Sequence, residues 1–108
     1  MIKFMAFLKL LPTMPREDAI AYYETNHVPL ILSIMPGIAE YRRNFLETPM
    51  DGFDVVTELW FADQAAYDKA MAGAAEAMAR IAADEENFLD RSATRLSVVA
   101  EHGGPIGE

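Results

Sequence analysis

The chain has no cysteine and two histidines. Without thiols there is no disulfide framework, no thiolate nucleophile and no thiolate metal site, so any chemistry runs on oxygen and nitrogen groups; the same absence fits a cytoplasmic setting. The histidines, His27 and His102, lie far apart, the second in a Gly/Pro-rich tail, and make a poor pair of metal ligands. Positive charge is scarce too. Nine Lys and Arg stand against seventeen Asp and Glu, a formal charge of −8, and the basic residues are scattered, so nucleic acid is not an expected partner. Long apolar runs are missing. The stretch from Ile2 to Leu11 is broken by Lys3 and Lys9 and followed by no small-residue cleavage site; it reads as a strand rather than a signal peptide, and nothing reaches the roughly 18 apolar residues of a membrane span. There is no Gly-rich phosphate loop, no His-x-x-x-His pair and no Gly-x-Ser-x-Gly elbow. No metal and no cofactor are expected.

What remains is enough for one core. A length of 108 residues at 52% hydrophobic and 24% charged predicts a single folded domain, over residues 1–102, with 103–108 as a flexible Gly/Pro-rich tail. Ile2 to Leu11 alternates with both faces apolar, so this first strand needs cover on both sides. Arg16 to Ile34 carries Ile20, Tyr23, Leu30 and Ile34 at helical spacing, with Pro29 inside it. Proline removes a hydrogen bond and biases Val28 away from helical angles, which predicts a kink or break near His27–Val28.

Ile38 to Glu47 reads as a second strand, Thr48 to Phe53 with its Asp51-Gly52 dipeptide as the hairpin connection, and Asp54 to Ala62 as a third strand, apolar on both faces. Asp63 can cap a second helix, with Tyr67, Met71, Met78 and Ile81 at helical spacing and Gly73 as a break. A fourth strand is expected from Thr94 to Glu101. This order describes two split βαβ halves: an α+β, ferredoxin-like βαββαβ domain with both helices on one face of a four-stranded antiparallel sheet. The other face would then leave Met5, Phe7, Trp60 or Phe61 in water. Sheet-on-sheet pairing into a homodimer is the economical remedy.

His27 is the residue to watch. It falls on the apolar side of the first helix beside the expected disruption, where it could shuttle a proton, or could simply donate to a backbone carbonyl freed by Pro29. In the acidic run Asp84-Glu85-Glu86, Asp84 shares a helix side with Ile81 and Phe88, so it is the member expected to point inward and act with His27, although such runs are usually solvated faces. Tyr22, Tyr23, Tyr41, Phe45, Trp60 and Phe61 could wall a pocket for a flat apolar ligand or could be ordinary core.

The segments Lys9-Leu10-Leu11-Pro12, Tyr22-Tyr23-Glu24-Thr25-Asn26-His27-Val28-Pro29-Leu30, Met35-Pro36-Gly37-Ile38, Glu58-Leu59-Trp60-Phe61-Ala62-Asp63 and Asp84-Glu85-Glu86-Asn87-Phe88-Leu89-Asp90, in that order, resemble the EthD-like family over nearly the whole chain to about Glu101. The resemblance implies a dimeric α+β barrel. It implies no single reaction, since such proteins include accessory proteins of ether degradation, cofactor-free isomerases, and cyclase-like or decarboxylase-like enzymes. Carried over residue by residue, it points to His27 and Asp84 as catalytic and to Trp60 and Phe61 as strand aromatics. The expectation is a cofactor-independent isomerase or lyase acting on a small apolar, cyclic or aromatic metabolite, with Tyr23, Tyr41, Trp60, Phe61 and Phe88 as substrate-binding residues. Alternatives are a non-catalytic accessory or ligand-binding protein of an oxidative catabolic pathway, and a monooxygenase-like barrel.

Overall fold

A computed structural model describes residues 1–107. Strand β1 (Ile2–Leu8) is followed by helix α1 (Arg16–Tyr22), a π-turn (Tyr23–His27) and helix α2 (Val28–Ile34). Strands β2 (Ile38–Met50) and β3 (Phe53–Phe61) form a hairpin, helices α3 (Gln64–Met71) and α4 (Ala75–Glu85) flank Gly73, and a 3₁₀ turn (Arg91–Ala93) leads into β4 (Arg95–Val99). The four strands pair antiparallel in the order β2-β3-β1-β4, with the helices on one face. No helix among the described residues is long and apolar enough to cross a membrane.

Local chemistry explains most of these elements. Asp63 caps α3 by accepting from the Ala66 N–H at 2.8 Å. Gly73, at φ +66°, divides α3 from α4 in a conformation that few other residues tolerate. In the β2–β3 hairpin Asp51 and Gly52 both have positive φ, +52° and +82°, the signature of a tight two-residue turn whose twist matches the strands. This turn is shorter than the connection expected from Thr48 to Phe53, because β2 continues through Pro49. As β2 lies at the sheet edge, the missing proline N–H removes no ladder bond on its outer side.

The expected break at His27–Val28 is also corrected. The backbone stays right-handed helical there, with φ/ψ of −72°/−45° at His27 and −59°/−50° at Val28, and the Val28 N–H bonds back to the Tyr23 carbonyl. One extra residue is thus taken up in a wider turn just before Pro29.

Register divides the side chains. Phe4, Ala6 and Leu8 on β1 lie level with Leu59, Thr57 and Val55 on β3 and face the helices; Tyr41, Arg43 and Phe45 join them from β2. One buried cluster, Leu8, Leu10, Ala19, Tyr23, Val55, Phe88 and Leu89, sits beneath α1 and the π-turn; a second, Ile31, Met35 and Phe61, sits beneath α2 and α3. After α4 the chain is stitched to the end of β1: the Leu11 N–H donates to the Phe88 carbonyl and the Asp90 N–H to the Lys9 carbonyl, both at 2.9 Å. That seam fixes the end of α4 over the first cluster.

The opposite face is less apolar than the strand pattern suggested. Met5, Phe7, Phe53 and Val56 make a greasy half, with the Phe7 and Phe53 rings 5.9 Å apart. The other half is an ionic cluster in which Lys3 meets Glu58 at 2.6 Å and Glu101 at 2.7 Å, while Lys3 and Arg42 lie over the Trp60 ring.

Candidate functional site

The π-turn builds the site. In a regular helix of 3.6 residues per turn, side chains five positions apart point about 140° from one another. The i→i+5 turn brings Tyr22 and His27 to one side, and there both reach the same carboxylate on α4. Tyr22 Oη donates to Asp84 Oδ1 at 2.6 Å, and His27 Nδ1 lies 2.7 Å from Asp84 Oδ2. Asn87 Nδ2 donates to the Tyr22 hydroxyl at 3.0 Å. Partial burial pushes the Asp84 carboxyl up, but the hydrogen bonds from Tyr22 and His27 outweigh it and hold the group below its ordinary value. Asp84 therefore stays an acceptor, and Nδ1 is the nitrogen that donates to it.

His27 is only 3% exposed. Its ring lies 5.0 Å from Phe88 and 5.5 Å from Tyr23 by centroid. The other nitrogen, Nε2, faces Glu85 Oε2 at 3.7 Å, too long for a direct hydrogen bond. Glu85 is itself anchored, since Arg91 Nε donates to its other oxygen at 3.1 Å. No buried side-chain nitrogen or oxygen among the described residues is sealed off without a partner.

A second polar chain adjoins the first through Tyr23. Its hydroxyl pairs with Thr57 Oγ1 at 2.6 Å, and the Tyr41 hydroxyl approaches it at 3.4 Å. Burial raises the pKa of both phenols, that of Tyr41 far beyond the phenol range, so both are neutral hydroxyls. Arg43 lies 4.8 Å over the Tyr41 ring and grips Glu24 with two nitrogens, at 2.8 and 2.6 Å. Its bidentate hydrogen bonds hold Glu24 below its usual value despite partial burial.

The five expected substrate-contacting aromatics do not share one wall. Tyr23 and Phe88 touch His27, and Tyr41 reaches it through Tyr23. Phe61 belongs to the second cluster, packed on Phe4 and Tyr67. Trp60 is on the opposite sheet face altogether, because neighbouring residues of a strand point to opposite sides. It lines an open cleft of about 600 Å³ with Lys3, Arg42, Glu58 and Glu101. A smaller depression of about 400 Å³ lies at the far end of the sheet, where Leu10, Leu11, Met14, Arg16 and Asp54 meet.

Of the residues around His27, Arg91 alone escaped the sequence reading. Tyr22 was expected as an aromatic wall and is instead the second partner of Asp84, and Glu85, one of three acids that could act with His27, is the one at Nε2. Tyr22 stands five positions from His27, a spacing that means contact only in a π-turn. Among the described residues no three His, Asp or Glu side chains are placed to hold a metal ion.

The family model of the EthD domain matches residues 11–92, and no curated protein matches the chain. Several solved structures do. An EthD family protein of Bacillus halodurans is 18% identical, with a TM-score of 0.69 and coverage of 94% of this chain and 100% of that one. SnoaB of Streptomyces nogalater, described as a cofactor-independent oxygenase, is 9% identical at a TM-score of 0.63, covering 98% and 97%. A dimeric Bacteroides fragilis protein of unknown function and ferredoxin-like fold is 13% identical at a TM-score of 0.56, covering 91% of each chain. At such identities the likeness shows the fold, which is ferredoxin-like.

Proposed function

The chain belongs to the EthD family, and on that premise we propose that it is a cofactor-independent acid–base enzyme of isomerase or lyase type, acting on a small cyclic or aromatic metabolite. His27 is the catalytic residue and transfers the proton at Nε2. Asp84 is a positioning residue that accepts from Nδ1, fixing the ring's orientation and supporting it when it is charged. The carrying observation is the asymmetry of this imidazole: Nδ1 is held at 2.7 Å by a carboxylate while Nε2 has no hydrogen-bond partner in a site walled by Tyr23 and Phe88. Turnover against a panel of lactones and phenolics, assayed without added metal or cofactor, tests this. General acid–base help is worth roughly 10²–10⁴-fold, so His27→Ala should lose at least about a hundredfold; a loss under about tenfold would remove His27 from the chemistry.

The tight packing of His27 favours one other reading, a binding protein that holds an apolar metabolite for a partner enzyme. In that case ligand affinity survives His27→Ala and no member of the panel turns over. SnoaB's description also keeps a cofactor-independent oxygenase in view, for which oxygen consumption is the test.

We further propose that the chain works as a homodimer, in the cytoplasm, with the face bearing Met5, Phe7, Phe53 and Val56 turned toward its copy. The dimeric Bacteroides fragilis relative of the fold supports the pairing. Sedimentation at micromolar concentration should give twice the chain mass, and a stable single subunit would exclude it.

A further inference from the structure

Glu85 has no part in the reading above, yet its placement is as specific as that of Asp84. Both are consecutive residues near the end of α4, and they meet opposite edges of the same ring: Asp84 at Nδ1 and Glu85 at Nε2. Arg91 fixes one Glu85 oxygen and leaves the other aimed at the imidazole. The 3.7 Å between Nε2 and Oε2 is too long for a hydrogen bond and short enough for one polar group of a ligand to touch both atoms. His27 is buried, and its Nε2 has no hydrogen-bond partner and is directed at that gap.

Resting on the acid–base reading, we propose that Glu85 is the second proton carrier of the site and that the His27–Glu85 pair selects an uncharged substrate with an enolisable carbonyl. The substrate carries a C=C bond β,γ to its carbonyl; the Glu85 carboxylate takes the proton from the carbon between the two, and the C–H electron pair becomes a new C=C bond conjugated with the first. The carbonyl π pair moves onto oxygen, which takes the Nε2 proton of His27 while Asp84 holds Nδ1–H. In the return step the enol O–H proton goes back to Nε2 and the Glu85 proton is delivered to the far carbon of the conjugated system. A double bond has then migrated, both side chains are restored and nothing is oxidised or reduced. The charge balance sets the substrate class. Asp84 and Glu85 face the ring from α4, the neutral phenols of Tyr22 and Tyr23 face it from α1 and the π-turn, and Arg91 is committed to Glu85. The reacting imidazolium is already paired with Asp84 and Arg91 with Glu85, so a carboxylate on the substrate would meet two acids with both nearby cations engaged.

The test uses the full chain in D₂O with two small probes, α-angelica lactone, which is neutral and enolisable, and levulinate, its ring-opened anion. Addition of the lactone should shift the His27 Cε1–H resonance, and deuterium should enter its ring methylene. Glu85→Gln should keep the lactone-induced shift and the melting temperature and lower deuterium entry about a hundredfold. Glu85→Asp should recover part of the rate. The proposal is overturned if Glu85→Gln exchanges within threefold of the parent, if levulinate perturbs His27 as strongly as the lactone does, or if neither probe touches His27. His27→Ala separates the two claims: exchange lost there but kept in Glu85→Gln sinks only the role of Glu85, whereas exchange kept in both sinks the acid–base reading itself.

Discussion

The two faces of the sheet each hold a buried nitrogen group between two carboxylates, and they treat it in opposite ways. On the open face Lys3, 7% exposed, has Glu58 at 2.6 Å and Glu101 at 2.7 Å, with Trp60 packed alongside. On the helix face His27, 3% exposed, has Asp84 at 2.7 Å but Glu85 only at 3.7 Å. The first cluster is closed, since both acids are in hydrogen-bond contact with the cation. The second is closed at one nitrogen and open at the other. A satisfied ion cluster specifies how chains and strands fit together, whereas a ring held firmly at one edge and left free at the other is arranged to exchange a proton. That contrast, rather than burial alone, supports the proposed proton-transfer role of His27 and gives Lys3 a place in the architecture.

The sharpest way to break the contrast is to remove the wall that makes the His27 side rigid. Phe88 is fully buried, and its ring packs 5.3 Å from Tyr22, 5.1 Å from Tyr23 and 5.0 Å from His27. Its truncation leaves a cavity beneath the π-turn, so Phe88→Ala should cost about 3–5 kcal/mol in urea denaturation, most of the margin of a small domain. The conservative Phe88→Leu should recover a large part of that stability. If Phe88→Ala changes stability by less than about 1 kcal/mol, the first cluster is not the rigid support described here.

A smaller effect is expected one bond further out. Tyr22→Phe deletes the hydroxyl that donates to Asp84 Oδ1 and leaves the ring on Phe88. A partly buried hydrogen bond to a carboxylate contributes about 1.5 kcal/mol net, so the loss should be smaller than that in Phe88→Ala. Asp84 is held below its ordinary pKa, so its contribution to stability is present above the unfolded value of 3.8 and is lost as pH falls through the lower folded value. In Tyr22→Phe one of the bonds that lowers the Asp84 pKa is gone, so less stability is lost as pH falls below about 3.8 and the acid side of the curve flattens. Thermal melts between pH 2 and 6 read this directly, and coincident curves for the two proteins would show that Tyr22 does not act on Asp84.

How far the sequence led follows from the same pair of faces. Strand alternation, the Asp51-Gly52 dipeptide, the Asp63 cap and Gly73 act locally, and each placed its element to within a few residues. Pro29 gave a true warning of disrupted helix geometry, but proline dictates only which bond is lost. Whether the chain breaks or widens into a π-turn depends on what the helix packs against, here Phe88 and Thr57 through Tyr23. The Tyr22–Asp84 contact depends on that outcome and was therefore invisible. Trp60 and Phe61 show a different limit: adjacent strand residues must part to opposite faces, so the period of two was legible while the choice between them required the register of β3 against β1. The ionic half of the open face hid in full view, because Lys3, Glu58 and Glu101 are remote in sequence and only strand pairing brings them together.

The smallest expected effect tests that ionic half. The hydrogen bond from Lys3, followed by that from Asn44, holds Glu58 below its usual 4.5, and Lys3 likewise lowers Glu101. The same two acids raise Lys3 above its ordinary value, Glu101 contributing most. By linkage, the two carboxylates add stability above about pH 4.5 that disappears as pH falls through their lower folded values; Lys3 adds stability present below 10.5 and lost only as pH rises through its higher one. Lys3→Met keeps an unbranched apolar stem against Trp60 and removes the charge. It should therefore leave turnover unchanged, flatten the acid side of the melting curve between about pH 5 and 3, and shift the alkaline loss of stability. The acid side is the discriminating measurement, since Tyr22→Phe and Lys3→Met act on different carboxylates and their effects should add when combined. An acid limb in Lys3→Met as steep as in the parent would mean that Glu58 and Glu101 are not held by Lys3, and the closed cluster that defines the open face would lose its basis.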